Sequence, residues 1–168
     1  MAIKMALLTK IPPQPFRAMT DRQIEFRDRK QDIDLQQLQS LFNAHAFWAK
    51  GRSIADLQIM VEHSEPTISM WDDQKLIGFA RSTSDGIYRA MIWDVVIDET
   101  YRGLGLGRRL VDTLIHHPKL ARVERVYLTT SHQQNFYERL GFVRNDTATM
   151  ILDRCLAIEI LHSTAVEF

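Results

Sequence analysis

The sequence predicts an α/β sandwich: a mixed, mostly antiparallel twisted sheet of about seven strands flanked by about four helices. Three observations carry this. Apolar residues recur at helical spacing over 35–63 and then switch to short apolar runs over 67–97. Asp85-Gly86 stands between two of those runs, a short-range hairpin signal. A further amphipathic stripe follows the last run directly after a glycine-rich turn. Strands that succeed one another with no helix between them argue for antiparallel neighbours, not for repeated βαβ units.

Taken in order, residues 1–22 form an N-terminal arm, because Pro12, Pro13 and Pro15 forbid regular structure. Ile24 and Phe26 share one face of a first strand, 24–27. Leu35, Leu38, Leu41 and Phe42 recur at helical spacing, with Asp34 as N-cap. The stretch 44–52 is aromatic and basic (Phe47, Trp48, Lys50, Arg52). A second helix fits 53–63, capped by Ser53 and stopped before Pro66. Strands follow at 67–71, 76–83 and 88–97, separated by Asp72-Asp73-Gln74 and Asp85-Gly86. Leu110, Val111, Leu114 and Ile115 form one stripe of a helix over 105–117 that Pro118 ends. A strand is expected at 123–130, a short helix capped by Ser131 at 133–140, and closing strands at Phe142 and at 150–152. One domain, 23–153, accounts for this order. The tail, 154–168, is apolar from Cys155 to Leu161 beyond what a free end needs, so it is expected to extend the sheet or pack on a second subunit in a homodimer.

Composition narrows the class. The 168 residues carry 21 Lys and Arg against 21 Asp and Glu, so no basic excess favours a nucleic-acid partner. The single cysteine, Cys155, excludes an internal disulfide and a multi-cysteine zinc site. No apolar run reaches the roughly 18 residues of a membrane span, and no long apolar segment opens the chain. A cytoplasmic protein with no membrane partner is expected.

The most informative stretch runs from Val95-Val96-Ile97 through Arg102-Gly103-Leu104-Gly105-Leu106-Gly107-Arg108. An apolar strand enters a loop with glycine at alternate positions, and the loop opens a helix. Glycine admits positive φ and close approach of a ligand. The unpaired N–H groups of a helix start lie at the positive end of its dipole and attract phosphate. Neither a P-loop nor a G-x-G-x-x-G dinucleotide fingerprint fits, since position 108 is Arg, position 110 is Leu, and no Lys-Ser or Lys-Thr follows. On its own the loop also admits the plainer reading of a tight turn that caps a helix.

Arg102–Gly107 nevertheless matches the [RQ]-x-x-G-x-[GA] acetyl-CoA motif of the GNAT superfamily of N-acetyltransferases. Asn135-Phe136-Tyr137-Glu138-Arg139-Leu140-Gly141-Phe142 resembles that superfamily's F-Y-x-x-L-G-F segment. The predicted element order over 24–152 is similar as well. The wording from Trp93 to Gly107 resembles the plant plastid and cyanobacterial serotonin (arylalkylamine) N-acetyltransferase-like branch. The resemblance implies acetyl-CoA as cosubstrate, gripped at its pyrophosphate by backbone N–H groups from Arg102 to Arg108. It implies that Val95, Val96 and Ile97 offer main-chain groups to the pantetheine arm, with Asn135 and Tyr137 also on the cofactor side.

It further implies Tyr137 as the general acid for the departing thiolate, since a phenol near pKa 10 is protonated at pH 7. Packing of Tyr137 against Phe136 is the structural alternative. Asp94, a charged residue inside an apolar strand, is the candidate general base, or else a salt-bridged strand carboxylate. The family often carries Glu three residues earlier, where this chain has Met91. No metal site is expected, and direct transfer without an acyl-enzyme follows from the lack of a nucleophile motif. By resemblance the acceptor cleft draws on Phe42, His45, Phe47 and Trp48, with Arg144, Asn145 and Asp146 opposite. Aromatic lining suits an arylalkylamine, whereas a protein lysine would want acids such as Glu62, Glu65 or Asp72; these aromatics equally suit a core beneath the helix. The competing function is a catalytically weak acetyl-CoA-binding sensor or interaction module.

Overall fold

Asp34 and Ser53 start the first two helices by accepting the helices' free amides. The Asp34 carboxylate accepts from the N–H groups of Gln36 and Gln37 at 2.9 and 3.1 Å, and Ser53 Oγ accepts from that of Asp56 at 3.1 Å. These caps belong to a computed structural model that describes residues 23–145 and 150. The chain divides into two compact units, one ending at Thr129 and one starting at Thr130.

The first unit holds β1 (Ile24–Arg27), α1 (Leu35–His45), α2 (Ile54–Glu62), β2 (Thr67–Asp72), β3 (Lys75–Ser84), β4 (Arg89–Ile97), α3 (Leu106–Ile115) and β5 (Arg125–Tyr127). Its sheet runs in the order β1-β2-β3-β4-β5, antiparallel as far as β4 and parallel between β4 and β5. Asp85 closes the β3–β4 hairpin by accepting from the N–H groups of Ile87, Tyr88 and Arg89 at 2.9, 2.8 and 3.0 Å. Alternation along the strands separates two cores. Leu38, Phe42 and Leu57 of α1 and α2 meet Phe79 and Val96 on one side, with Phe42 and Phe79 edge to face at 5.8 Å. Leu106 at the head of α3 and Tyr101 meet Met70 and Ile77 on the other.

The second unit contributes α4 (Gln134–Glu138). Its N-cap, Gln133, gives the helix amides no side-chain acceptor; Thr130 Oγ1 accepts from the N–H of Gln133 itself at 3.1 Å, and Ser131 does not supply the expected cap. Gly141 takes φ +90°, which only glycine adopts freely, and the turn brings the N–H of Phe142 to the carbonyl of Tyr137 at 3.1 Å.

That turn corrects the strand count. The described residues form five strands where about seven were expected from the pattern. Phe142 is folded back on α4 and starts no strand. Of the second closing strand only Met150 is described, without strand structure; Ile151 and Leu152, like the arm at 1–22 and the tail from 154, lie outside the described residues. Among the described residues the four α-helices fall where their periodicity placed them. The strand expected over 123–130 is realised only at Arg125–Tyr127.

Candidate active site

The shortening of β5 has its cause in β4. Phe79 pairs with Val96 and Arg81 with Trp93, so Asp94 and Val95 together face the single residue Ala80. This is a β-bulge, which bends the bulged strand and increases its twist. Asp94 takes φ +50°, a left-handed conformation that Asp tolerates better than most residues. The β4–β5 ladder consequently ends at Met91 opposite Tyr127. Beyond it, no strand among the described residues pairs with β4 over 92–97 on that edge. Val96 is buried against α1 and α2, Ile97 packs on the α3 side, and Val95 is half-buried, so these side chains serve packing.

The bulge also aims the Asp94 carboxylate. Its Oδ2 accepts from Arg81 Nε at 2.7 Å and from Arg52 at 3.1 Å, and its Oδ1 accepts from the indole of Trp48 at 3.1 Å. Burial opposes ionisation of Asp94, but Arg81 and then Arg52 outweigh it and hold the carboxyl below its usual range. Arg81 also donates to Ser64 Oγ at 3.1 Å and lies 5.7 Å over the Trp93 ring. Phe47 and Trp48 do not fill the core: they are 74% and 50% exposed and stack edge to face at 5.1 Å. Phe42, by contrast, is a core residue at 1%.

At the end of β4, Asp98 accepts from Lys75 Nζ at 2.7 Å, from Thr100 Oγ1 at 2.7 Å and from the Thr100 N–H at 3.0 Å. His45 Nε2 stands 3.8 Å away. Burial pushes this carboxyl up, yet Lys75 and Thr100 bring it down to about 2. The carboxylate thus fixes the turn that leads into the glycines. The Arg102 N–H is spent within this turn on the carbonyl of Glu99 at 3.1 Å, which takes it out of the expected run of phosphate-binding amides. Gly103 and Gly105 take φ +79° and +74°, and Gly105 is the N-cap of α3 with no side-chain partner. The Arg109 N–H is bonded to the Gly105 carbonyl at 3.2 Å, so the amides of Leu106, Gly107 and Arg108 open the helix without intrahelical acceptors. The side chains of Arg102 and Arg108 are exposed; Arg108 makes an ion pair with Asp112 at 3.4 Å.

In the second unit Asn135 is exposed and Tyr137 half-buried. The Tyr137 ring meets Phe136 at 4.9 Å and Phe142 at 5.8 Å. Burial raises its phenol to about 12. Arg144 pairs with Glu138 at 3.2 Å, and Asp146 lies outside the described residues.

Sequence reasoning singled out Asp94 but missed the cations that hold it. Arg81 carried the same signal, a charge inside an apolar strand. Arg52 stood in a stretch noted as basic. Asp98 carried none that distinguishes it from an ordinary turn residue. No group of three or more His, Cys, Asp or Glu among the described residues is arranged to hold a metal, and none of their helices is long and apolar enough to cross a membrane.

The described residues thus join a strand with an unpaired edge, through a bulge, to a glycine turn at a helix start. Residues 28–142 match the model of the acetyltransferase (GNAT) family. The uncharacterized N-acetyltransferase ycf52 of Pyropia yezoensis is 34% identical over 131 residues, 73% of this chain and 74% of that one. The chloroplastic GCN5-related N-acetyltransferase 1 of Arabidopsis thaliana is 29% identical over 139 residues, 77% and 68% of the two chains. A crystal structure from Xanthomonas campestris pv. campestris, described as an acetyltransferase belonging to the GNAT family, superposes with a TM-score of 0.69 at 25% identity, covering 77% of this chain and 94% of that one. The chain belongs to the GNAT family of acetyltransferases. It is an acyltransferase enzyme.

Proposed function

We propose that this enzyme moves an acetyl group from acetyl-CoA directly to a primary amine of the arylalkylamine type. The observation that carries the proposal is the edge of β4 over 92–97, which no described strand pairs with, leading into the open amides at the start of α3. Bound acetyl-CoA supplies the acetyl group as a thioester, whose C–S bond breaks as the C–N bond to the amine forms. The N–H groups of Gly103, Leu104, Gly105, Leu106, Gly107 and Arg108 hold the pyrophosphate, with Arg102 adding charge through its side chain. The main chain of Val95, Val96 and Ile97 pairs with the amides of the pantetheine arm as a neighbouring strand would. Asn135 flanks the cosubstrate by its place in the family motif.

Tyr137 serves the leaving sulfur. At about 12 its phenol stays protonated throughout the neutral range. Complete proton transfer to a thiolate whose acid lies near 8.5 is uphill by about 5 kcal/mol. The phenol therefore stabilises the thiolate as a hydrogen-bond donor, and solvent delivers the proton. Asp94 acts by position: a carboxylate held below its usual range between two guanidiniums is a weak acceptor for an ammonium proton. The amine is drawn from its neutral fraction, about one part in a thousand at pH 7.4 for a pKa near 10.4, and the proton its nitrogen gives up as the amide forms passes to solvent.

Exposed Phe47 and Trp48 supply flat apolar surface for an aromatic acceptor. The acids that a lysine peptide would want are engaged: Glu65 with Lys30 and Lys119 at 3.3 and 2.6 Å, and Asp72 with the Tyr101 hydroxyl at 2.6 Å. One observation favours the alternative of an acetyl-CoA sensor, namely that Met91 is apolar and Asp94 neutralised, so neither offers a free base. The test is CoA release from acetyl-CoA, followed by thiol detection, with tryptamine, serotonin and a lysine peptide as acceptors. Release that depends on an arylalkylamine supports the proposal. Saturable acetyl-CoA binding without release supports the sensor.

A further inference from the structure

The charges around Asp94 do not balance. Arg81 and Arg52 both approach the same carboxylate oxygen, at 2.7 and 3.1 Å, with side-chain exposures of 14% and 31%. Neither has a second carboxylate within ion-pair distance among the described residues. The acids nearest in the chain are occupied elsewhere: Asp56 with Ser53 at 2.7 Å, Glu62 with Gln58 at 3.0 Å, and Glu65 with its two lysines. Asp94 is ionised at neutral pH and cancels one cation, which leaves one half-buried positive charge uncompensated. Withdrawing a guanidinium from water without a partner is costly, so such a charge is poised to receive an anion. A guanidinium presents its donors in a planar fork that matches a carboxylate. Arg52 also meets Met60 Sδ at 3.5 Å and Arg81 donates to Ser64, and two aromatic rings stand beside them: Trp48, half-exposed, with its indole on Asp94 Oδ1, and Trp93 beneath Arg81, 37% exposed.

We propose that Arg52, backed by Arg81, forms an anion subsite beside the β4 bulge that takes the carboxylate of an aromatic amino-acid acceptor. On this assignment the acceptor is an aromatic primary amine that also carries an acid group, and the bare arylalkylamine is the poorer substrate. A net positive site repels a lone ammonium, whereas a zwitterion brings its own counter-charge and anchors its amine beside the bulge. Trp48 and Trp93 give its ring two apolar faces. The inference rests on the acetyl-transfer function proposed above and names the acceptor class for it.

Matched pairs isolate the carboxylate. Tryptophan and tryptamine share ring and amine, as do 5-hydroxytryptophan and serotonin. In the wild-type enzyme, CoA release is expected to show kcat/KM at least about tenfold higher for the carboxylated member of each pair, the usual worth of a charge-assisted contact. Arg52→Gln is expected to collapse that ratio by about tenfold or more, and Arg52→Lys, which keeps the charge but not the fork, to retain part of it. Equal or better use of the bare amine by the wild type, or an unmoved ratio in Arg52→Gln, overturns the inference while transfer itself stands. Equilibrium dialysis of labelled tryptophan and tryptamine against the CoA-loaded protein separates the two failures. If no acceptor releases CoA, the transfer function falls; retention of tryptophan over tryptamine that is lost in Arg52→Gln upholds the subsite, and equal retention or none overturns it as well.

Discussion

Asp94 occupies a left-handed backbone conformation in the middle of a strand and spends its carboxylate on two arginines and an indole. Asp94→Asn removes the charge that Arg81 and Arg52 share and leaves both guanidiniums without a carboxylate, Arg81 the more buried of the two. Loss of one partner of a buried pair costs about 3 kcal/mol, to be read as a lower urea midpoint. Asp98 gives a pH signature. Its folded value, about 2, lies below the ordinary carboxyl value of 3.8, so the stability it adds is full above pH 4 and is lost as pH falls towards 2. Thermal midpoints of Asp98→Asn are therefore expected to fall less than those of wild type between pH 4 and pH 2. Tyr137→Phe is expected to lower kcat by about ten- to a hundredfold with acetyl-CoA affinity unchanged, measured by steady-state kinetics and calorimetry. At this scale the sequence exposed Asp94 because a charge in an apolar strand is anomalous. It hid the pairing with Arg52, 42 residues away, because only the folded hairpin and the segment before α2 bring the two together.

The elements were legible where local chemistry decides them. Asp34, Ser53 and Asp85 each meet free amides with an adjacent side-chain oxygen, and such signals lie within four residues. The β5 segment was not legible in this way. The strand expected over 123–130 forms at only three residues because the bulge in β4 carries its partner away. No residue of β5 encodes that; the extra residue in β4 does. The glycine turn offers an element-scale prediction. A Cβ at Gly105 would meet nothing within 4 Å, so the obstacle to Gly105→Ala is its φ of +74° alone. The variant is expected to lose about 1 kcal/mol in denaturant unfolding and, with the α3 amides displaced, to raise the KM for acetyl-CoA.

For the whole molecule, the family and the α/β order could be read from two motifs and a change of period, whereas the strand count could not. The turn at Gly141, just past α4, returns Phe142 to Tyr137, and that backbone bond and ring contact outweigh the strand propensity of a lone aromatic. The core of the first unit centres on Phe42 and Phe79, and Phe42→Ala is expected to cost about 3–5 kcal/mol in the same unfolding assay.

The interrupted ladder between β4 and β5 has one more consequence. If acetyl-CoA lies along 92–97 of β4, it pairs with an edge that no strand among the described residues covers. Amides on that edge should exchange with deuterated solvent freely in the empty enzyme and slowly once it is loaded. At a hundred times the dissociation constant the ligand adds about 2.7 kcal/mol to folding. The supply of acetyl-CoA would then set how long the enzyme survives as well as how fast it works.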